Sequence, residues 1–137
     1  MSVYEMLCQP LNEHLNSQNW KPTPIQHVAL EPLITGNDRL LVAPTGSGKT
    51  EAAVLPILSE CYTQKWGRMS ILYVTPLRAL NRDIDRRLEG LAGVLGLTVG
   101  LRHGDTPQAE RNRQSKKPPH LLAVSYTHLT LPTICSV

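Results

Sequence analysis

The chain has 137 residues, of which 41% are hydrophobic and 18% charged, and its formal net charge is +3. This length supports one domain or part of one, and the composition is typical of a soluble globular protein without repeats. No apolar run reaches the length of a membrane span and the N-terminus has no signal-peptide pattern, so we expect a cytoplasmic protein with no membrane partner.

Basic residues are concentrated in the second half of the chain. Residues 1–70 contain five Lys or Arg against six acidic residues, whereas residues 71–137 contain nine against five. This excess is compatible with a polyanionic partner, although a solvated surface gives the same pattern. Cys8, Cys61 and Cys135 lie far apart without metal-ligand spacing, and we interpret them as reduced thiols.

Two helices are predicted before residue 37. In "PLNEHLNSQ", Leu11 and Leu15 are four residues apart, which predicts a short helix. Thr23 is a typical N-cap and Pro24 suits the first helical position, while Gly36 offers a stop. A second helix is therefore predicted between Thr23 and Gly36.

Strands and helices alternate through the rest of the chain. The predicted elements are a strand at 39–43, a helix at 49–64, a strand at 70–76, a helix at 77–96, a strand at 97–103, a helix at 106–115 and a strand at 120–124. The apolar strands lack alternation, as is typical of strands covered on both faces. This order predicts an α/β fold with a parallel sheet, helices on both faces and ligands at the carboxyl ends of the strands.

The segment "APTGSGKT" resembles a phosphate-binding P-loop, with an alanine in place of the first glycine. Gly46 and Gly48 let the backbone turn its N–H groups toward phosphate oxygens, and the next helix points its positive end at the same anion. Lys49 reaches the outer phosphates and the Thr50 hydroxyl can ligate Mg²⁺. The predicted nucleotide site consists of Ala43, Pro44, Thr45, Gly46, Ser47, Gly48, Lys49 and Thr50.

Three segments together resemble the superfamily 2 helicases of DEAD/DEAH-box type. "PTPIQ" (22–26), "APTGSGKT" (43–50) and "TPLRAL" (75–80) are similar to the Q-type motif, motif I and motif Ia in order and separation. "LRHGDTPQAERNRQSKKPPHLL" narrows the resemblance to the large-helicase-related (Lhr) branch. The resemblance covers Trp20 to Leu122 and implies a RecA-like P-loop NTPase fold. It also implies an ATP-dependent helicase or translocase acting on single-stranded or partly duplex DNA, with RNA as the alternative.

The resemblance implies roles for individual residues in nucleotide binding. The Gln26 amide matches the hydrogen-bonding edge of adenine and would select ATP over GTP, although it is also an ordinary polar residue of a first helical turn. Lys49 and Thr50 would be the catalytic residues of the loop, acting on ATP and Mg²⁺. Trp20 would stack near the base or pack as an ordinary tryptophan.

Four residues are expected along the nucleic-acid strand. The Thr75 hydroxyl and the N–H groups after Pro76 would meet a phosphate, and Arg78 would add a charge-assisted contact. Gly104, in "HGDT", would allow close approach of the backbone to the strand. A solvated helix arginine is the alternative for Arg78.

The sequence lacks part of the catalytic machinery of the family. ATP hydrolysis needs carboxylates that hold Mg²⁺ and orient the attacking water, and the family takes them from a D-E-x-H/D motif. Neither that motif nor a second RecA-like domain occurs in these residues. We therefore expect residues 1–122 to be an incomplete motor domain that binds ATP without hydrolysing it. Its expected partner is the missing C-terminal motor domain.

Residues 123–137, "AVSYTHLTLPTICSV", contain no Asp, Glu, Lys or Arg. "SYTHLTLPT" resembles translated sequencing-adapter sequence, so we expect a non-family tail of artefactual origin, with a genuine variant terminus as the alternative.

Two other functions stay open at this point. A P-loop kinase of a small metabolite would share the loop, although Ala43 and the "TPLRAL" segment favour a helicase. A non-catalytic module that binds ATP or nucleic acid would need no further domain.

Overall fold

The computed structural model describes residues 2–76, 82–102 and 108–126. The elements in chain order are a 3₁₀ helix Val3–Met6, α1 Gln9–Ser17, α2 Pro24–Ile34, α3 Lys49–Thr63, β1 Ile71–Pro76, α4 Arg82–Val94, β2 Val99–Arg102, α5 Gln108–Lys116 and β3 Leu121–Tyr126. The five predicted helices and three of the four predicted strands are confirmed. The residues predicted to begin the fourth and fifth helices, 77–81 and 106–107, and residue 103 of the strand predicted at 97–103 lie outside the described part of the chain.

The first structural unit comprises Met1–Gly67 with Leu91–Gly96. Within it α2 packs against α3, and the 3₁₀ helix contacts both α1 and α2. Residues four apart on a helix share a face, so leucines at this spacing build the core. Its fully buried side chains include Leu11, Leu15, Leu30, Leu55 and Leu58. The buried face that Leu11 and Leu15 predicted for α1 is confirmed.

The ends of α2 lie where the sequence predicts them. Thr23 is the N-cap, with φ −84° and ψ 164°, and Pro24 is the first helical residue. The Oε1 of Gln26 accepts the backbone N–H of Thr23 at 3.2 Å, as in the return bond of a capping box. After the C-cap Thr35, Gly36 adopts φ 87°, the left-handed conformation in which glycine commonly ends a helix.

The second unit comprises Arg68–Gly90 and Leu97–Val137 and contains a three-stranded parallel sheet in the order β1-β3-β2. The central strand β3 pairs with β1 along its length and with β2 over its first residues. Leu121, Leu122 and Ala123 of β3 are buried, as expected for a central strand. Because the strands are parallel, they end at one edge of the sheet. The strand-end residues there are Pro76, Arg102 and Tyr126.

The strand predicted at 39–43 is wrong. Leu40 and Val42 expose 89% and 80% of their surface, and the segment pairs with no strand in the described residues. A β-strand is stabilised by backbone hydrogen bonds to a neighbouring strand, so an apolar segment forms a strand only where a partner strand lies beside it. The three described strands pair with one another instead. The α/β class is confirmed, with three parallel strands where four were predicted.

The last strand is longer than predicted. β3 runs from Leu121 to Tyr126, so its last four residues belong to the predicted tail 123–137. Residues 127–137 lie outside the described residues, and the foreign origin of the tail stays a prediction.

Gln114 joins α5 to β2. Its Nε2 donates to the carbonyl oxygen of Leu101 at 2.7 Å, and its Oε1 accepts the Nε–H of Arg102 at 3.1 Å. The residue is only 7% exposed, so water cannot readily replace either hydrogen bond.

Replacement of Gln114 by alanine should lower the free energy of unfolding by about 1–3 kcal/mol, because buried polar groups lose their partner. Gln108→Ala is the matched control. Gln108 lies on the same helix, and its Nε2 donates a hydrogen bond to the Asn112 Oδ1 at the exposed surface. The control should change stability by less than about 0.5 kcal/mol. Urea denaturation measures both values, and equal losses for the two variants would contradict this role of Gln114.

The described residues contain no membrane-spanning helix, and they include two free cysteines. None of their helices combines the length and apolarity needed to cross a bilayer. Cys8 and Cys61 are free, and burial raises the pKa of the Cys61 thiol above its ordinary value. Cys61 is therefore a protonated core residue at neutral pH. Cys135 lies outside the described residues.

Candidate functional site

The loop 43–50 leads directly into α3, whose first residue is Lys49. A hydrogen bond from the Ser47 N–H to the Pro44 carbonyl oxygen, 3.3 Å long, spans the turn. Pro44, Thr45, Gly46 and Lys49 are exposed, while Ala43, Ser47, Gly48 and Thr50 are half-buried. The lysine side chain and the tip of the loop are therefore accessible to a ligand from solvent.

Gly46 and Gly48 both adopt the left-handed conformation, with φ 80° and 86°. This conformation is unfavourable for residues with a Cβ atom. A Cβ on Gly48 would lie 2.6 Å from the Gln26 Nε2 and 3.0 Å from the Thr23 Oγ1, whereas one on Gly46 would meet nothing within 4 Å. Gly48 is thus required for both conformation and space, and Gly46 for conformation.

The Gln26 amide connects three parts of the first unit. Its Oε1 accepts the Tyr4 hydroxyl at 2.6 Å and the Thr23 N–H at 3.2 Å, and its Nε2 donates to the Gly48 carbonyl oxygen at 3.2 Å. The residue is buried, with 3% of its surface exposed. Its amide therefore contacts the phosphate loop directly, and its selection of adenine stays a prediction.

Tyr4 is a residue of this site that sequence reasoning missed. It is 1% exposed, and burial together with the nearby Glu51 carboxylate raises the pKa of its hydroxyl above the ordinary value. The hydroxyl therefore stays protonated at neutral pH and donates to Gln26. The two residues are 22 positions apart, and no motif or periodicity in the sequence signals the contact.

Two hydroxyl groups beside the loop are buried without a hydrogen-bond partner in the described residues. They are the Ser47 Oγ and the Thr23 Oγ1. Buried polar atoms of this kind usually have a partner, and a phosphate oxygen is a suitable acceptor for the Ser47 hydroxyl. The first N–H groups of an α-helix also lack acceptors within the helix. The loop and the start of α3 therefore fit a phosphate group.

Trp20 is not a core residue. It is 40% exposed and borders an open cleft of about 270 Å³, together with Ser2, Asn16, Asn19, Lys21 and Pro22. Its indole ring is therefore accessible from solvent.

The described residues of the predicted nucleic-acid track lie at the carboxyl ends of strands. Thr75 and Pro76 end β1, and Arg102 ends β2 just before "HGDT". Thr75 is buried, with 6% exposed, while Pro76 is exposed. Arg78 and Gly104 lie outside the described residues. Contact of Thr75, Pro76, Arg78 and Gly104 with nucleic acid stays a prediction.

Two ion pairs, one on α4 and one on α5, join residues of the same helix. Arg87 pairs with Asp83 at 3.3 Å and Arg113 with Glu110 at 2.7 Å. The arginine side chains are 46% and 73% exposed, so each pair contributes at most about 1 kcal/mol.

A glycine-rich loop that opens a helix, in an α/β fold with a parallel sheet, defines the class of P-loop nucleotide-binding proteins. The family model of the DEAD/DEAH box helicases matches residues 23–133, and the chain belongs to this family. The match favours the helicase over the metabolite kinase that the loop alone left open. It also overlaps part of the predicted tail.

Individual relatives confirm the resemblance to Lhr helicases. The chain is 34% identical over 146 residues to the ATP-dependent helicase Lhr-Core of Methanocaldococcus jannaschii, an alignment that covers 94% of this chain and 17% of that protein. Its fold is similar to the helicase Lhr of Mycobacterium smegmatis bound to ssDNA and AMP-PNP, with a TM-score of 0.77, 32% identity and coverage of 91% and 18% of the two chains.

A hypothetical ATP-dependent RNA helicase from Sulfolobus tokodaii gives a TM-score of 0.70 at 25% identity, with 85% of this chain and 33% of that chain covered. The chain therefore spans less than a fifth of the two Lhr proteins and about a third of this one.

Proposed function

We propose that this chain is the ATP-binding portion of an ATP-dependent helicase or translocase that acts on nucleic acid. The observation that carries the proposal is the loop geometry, in which Gly46 and Gly48 adopt positive φ and Lys49 opens α3. Such a loop gathers backbone N–H groups and one ammonium around the phosphates of a nucleotide. The Ser47 hydroxyl, which has no hydrogen-bond partner among the described residues, supports the same ligand.

Each residue of the loop has a distinct part in holding ATP. The backbone N–H groups of Gly46, Gly48, Lys49 and Thr50 would donate to phosphate oxygens, and the Lys49 ammonium would offset negative charge on the outer phosphates. The Thr50 hydroxyl would be the ligand for Mg²⁺. Because the Gln26 Oε1 already accepts the Tyr4 and Thr23 donors, the second hydrogen of its Nε2 is the group left to select the adenine base. When bound at Thr50, Mg²⁺ would supply positive charge that offsets the negative charge of the phosphates.

We propose that these 137 residues bind ATP without hydrolysing it. A carboxylate must orient the attacking water, and the sequence contains no D-E-x-H/D segment to supply it. The proposed partner is a C-terminal motor domain, since this chain covers only 17% of the Lhr-Core helicase that it matches.

DNA is the proposed nucleic acid, single-stranded or partly duplex. The support is the similarity to the mycobacterial Lhr bound to ssDNA at 32% identity. Thr75, Pro76, Arg78 and Gly104 are the proposed contacts, since a strand end and a helix start can bind phosphate through backbone N–H groups. RNA is the alternative, and the similarity to the hypothetical ATP-dependent RNA helicase from Sulfolobus tokodaii supports it.

An ATPase assay tests this function. The 137-residue chain and a gene product extended through the downstream motor region are assayed with no nucleic acid, with ssDNA and with ssRNA of equal length. We expect turnover by the extended protein alone, stimulated most by ssDNA, and its loss in the extended Lys49→Ala variant. Turnover by the 137-residue chain would contradict binding without hydrolysis, and stronger stimulation by ssRNA would assign RNA instead.

A further inference from the structure

Tyr4 lies on the N-terminal 3₁₀ helix, outside every motif that the family resemblance contains. We propose that Tyr4 is a positioning residue of the nucleotide site, whose hydroxyl holds the Gln26 amide against the Gly48 carbonyl and so orients the Lys49 N–H. This inference rests on the proposed function, because it assumes that the loop binds phosphate.

The Gln26 amide is held from three sides. The Tyr4 hydroxyl and the Thr23 N–H both donate to Oε1, at 2.6 Å and 3.2 Å, and Nε2 faces the Gly48 carbonyl at 3.2 Å. A glutamine side chain has several rotatable bonds, so it keeps one position only when its contacts offset the lost rotamer entropy. The Tyr4 hydroxyl supplies the contact that comes from outside α2 and the loop.

Burial makes this contact persistent. Tyr4 and Gln26 are 1% and 3% exposed, so water does not compete for the hydrogen bond between them. The raised pKa of Tyr4 keeps its hydroxyl protonated at neutral pH, which preserves it as a donor.

The Tyr4–Gln26 hydrogen bond influences the phosphate site through one peptide group, the one between Gly48 and Lys49. The Gly48 carbonyl accepts both the Gln26 Nε2 at 3.2 Å and the Ala52 N–H at 2.9 Å. The Gly48 C=O and the Lys49 N–H belong to the same planar trans peptide and point in opposite directions. Fixing the carbonyl toward Gln26 therefore aims the Lys49 N–H away from Gln26, as a donor for phosphate at the start of α3.

Tyr4→Phe tests the inference, because it removes the hydroxyl and keeps the ring. Tyr62→Phe is the matched control, since Tyr62 is a 41% exposed residue of α3. Calorimetric titration of the 137-residue chain with ATP and with inorganic tripolyphosphate gives both affinities. We expect Tyr4→Phe to weaken the binding of tripolyphosphate roughly three- to tenfold, as for one buried hydrogen bond, and that of ATP by at least as much, and Tyr62→Phe to leave both affinities unchanged.

A double-mutant cycle tests the route through Gln26. In a Gln26→Ala background, Tyr4→Phe should cause no further loss of tripolyphosphate affinity, because the connecting amide is already absent. A full additional loss there would overturn the inference. So would a lower melting temperature of Tyr4→Phe with both affinities unchanged, or a loss confined to ATP.

Two further outcomes are informative. If Tyr4→Phe does not fold, Gln26→Met replaces it, and unchanged tripolyphosphate affinity in that variant would overturn the inference. If the wild-type chain binds ATP but Tyr4→Phe binds it equally well, the inference alone fails. Absence of ATP binding by folded wild-type protein would instead refute the proposed function on which the inference rests.

Discussion

Replacement of Gly48 by alanine is expected to abolish ATP binding and to lower the free energy of unfolding by about 2–5 kcal/mol. At φ 86° a residue with a Cβ atom costs about 1–2 kcal/mol. The new Cβ would also lie 2.6 Å from the Gln26 Nε2 and 3.0 Å from the Thr23 Oγ1, and such overpacking costs about 1–3 kcal/mol more. Relief of the crowding would move Gln26 or the start of α3, and either shift misplaces the loop.

Gly36→Ala is the matched control for Gly48→Ala. Gly36 has φ 87°, with nothing within 4 Å of its Cβ position, so the substitution adds backbone strain without crowding. We expect a loss of about 1–2 kcal/mol and unchanged ATP affinity. Urea denaturation and ATP titration of both variants separate the two effects. Equal destabilisation with ATP binding retained in Gly48→Ala would show that the crowding is unimportant.

Lys49→Ala is expected to weaken ATP binding by roughly 10- to 100-fold with little change in stability. A hydrogen bond to a charged group contributes about 1.5–3 kcal/mol, and each 1.4 kcal/mol is a tenfold change in affinity. Lys49 is exposed at the first position of α3, so the substitution should change the free energy of unfolding by less than about 0.5 kcal/mol.

Lys116→Ala provides the control for general electrostatics. Lys116 is an exposed lysine at the end of α5, so its removal makes the same change in net charge away from the loop. Calorimetric titration with Mg²⁺ and ATP should give wild-type affinity for this variant. A similar loss in both lysine variants would attribute the effect to net charge instead of the loop.

Features with local causes could be predicted from the sequence. The Thr23 N-cap, Pro24 and the Gly36 stop act within a few residues, and they place α2 correctly. The spacing of Leu11 and Leu15 likewise gives the buried face of α1. The positive φ of Gly46 and Gly48 also has a local cause, the glycines of the "APTGSGKT" segment.

Features that depend on distant partners could not be predicted in this way. The run at 39–43 has the composition of a buried strand, but pairing requires a neighbour that its own residues do not specify. The Tyr4–Gln26 hydrogen bond joins residues 22 positions apart, and only the packed fold brings them together. Burial of Thr75 also depends on the sheet around it and not on the local motif.

The most direct test of the phosphate site compares Mg²⁺-bound ATP with adenosine in calorimetric titrations of the wild-type chain. If Gly46, Gly48 and Lys49 hold the phosphates, ATP should bind with one-to-one stoichiometry and adenosine at least about 100-fold more weakly, because two or more charge-assisted hydrogen bonds are lost. Equal affinity for ATP and adenosine, or no binding of ATP by folded protein, would contradict the claim that this loop holds the phosphates of ATP.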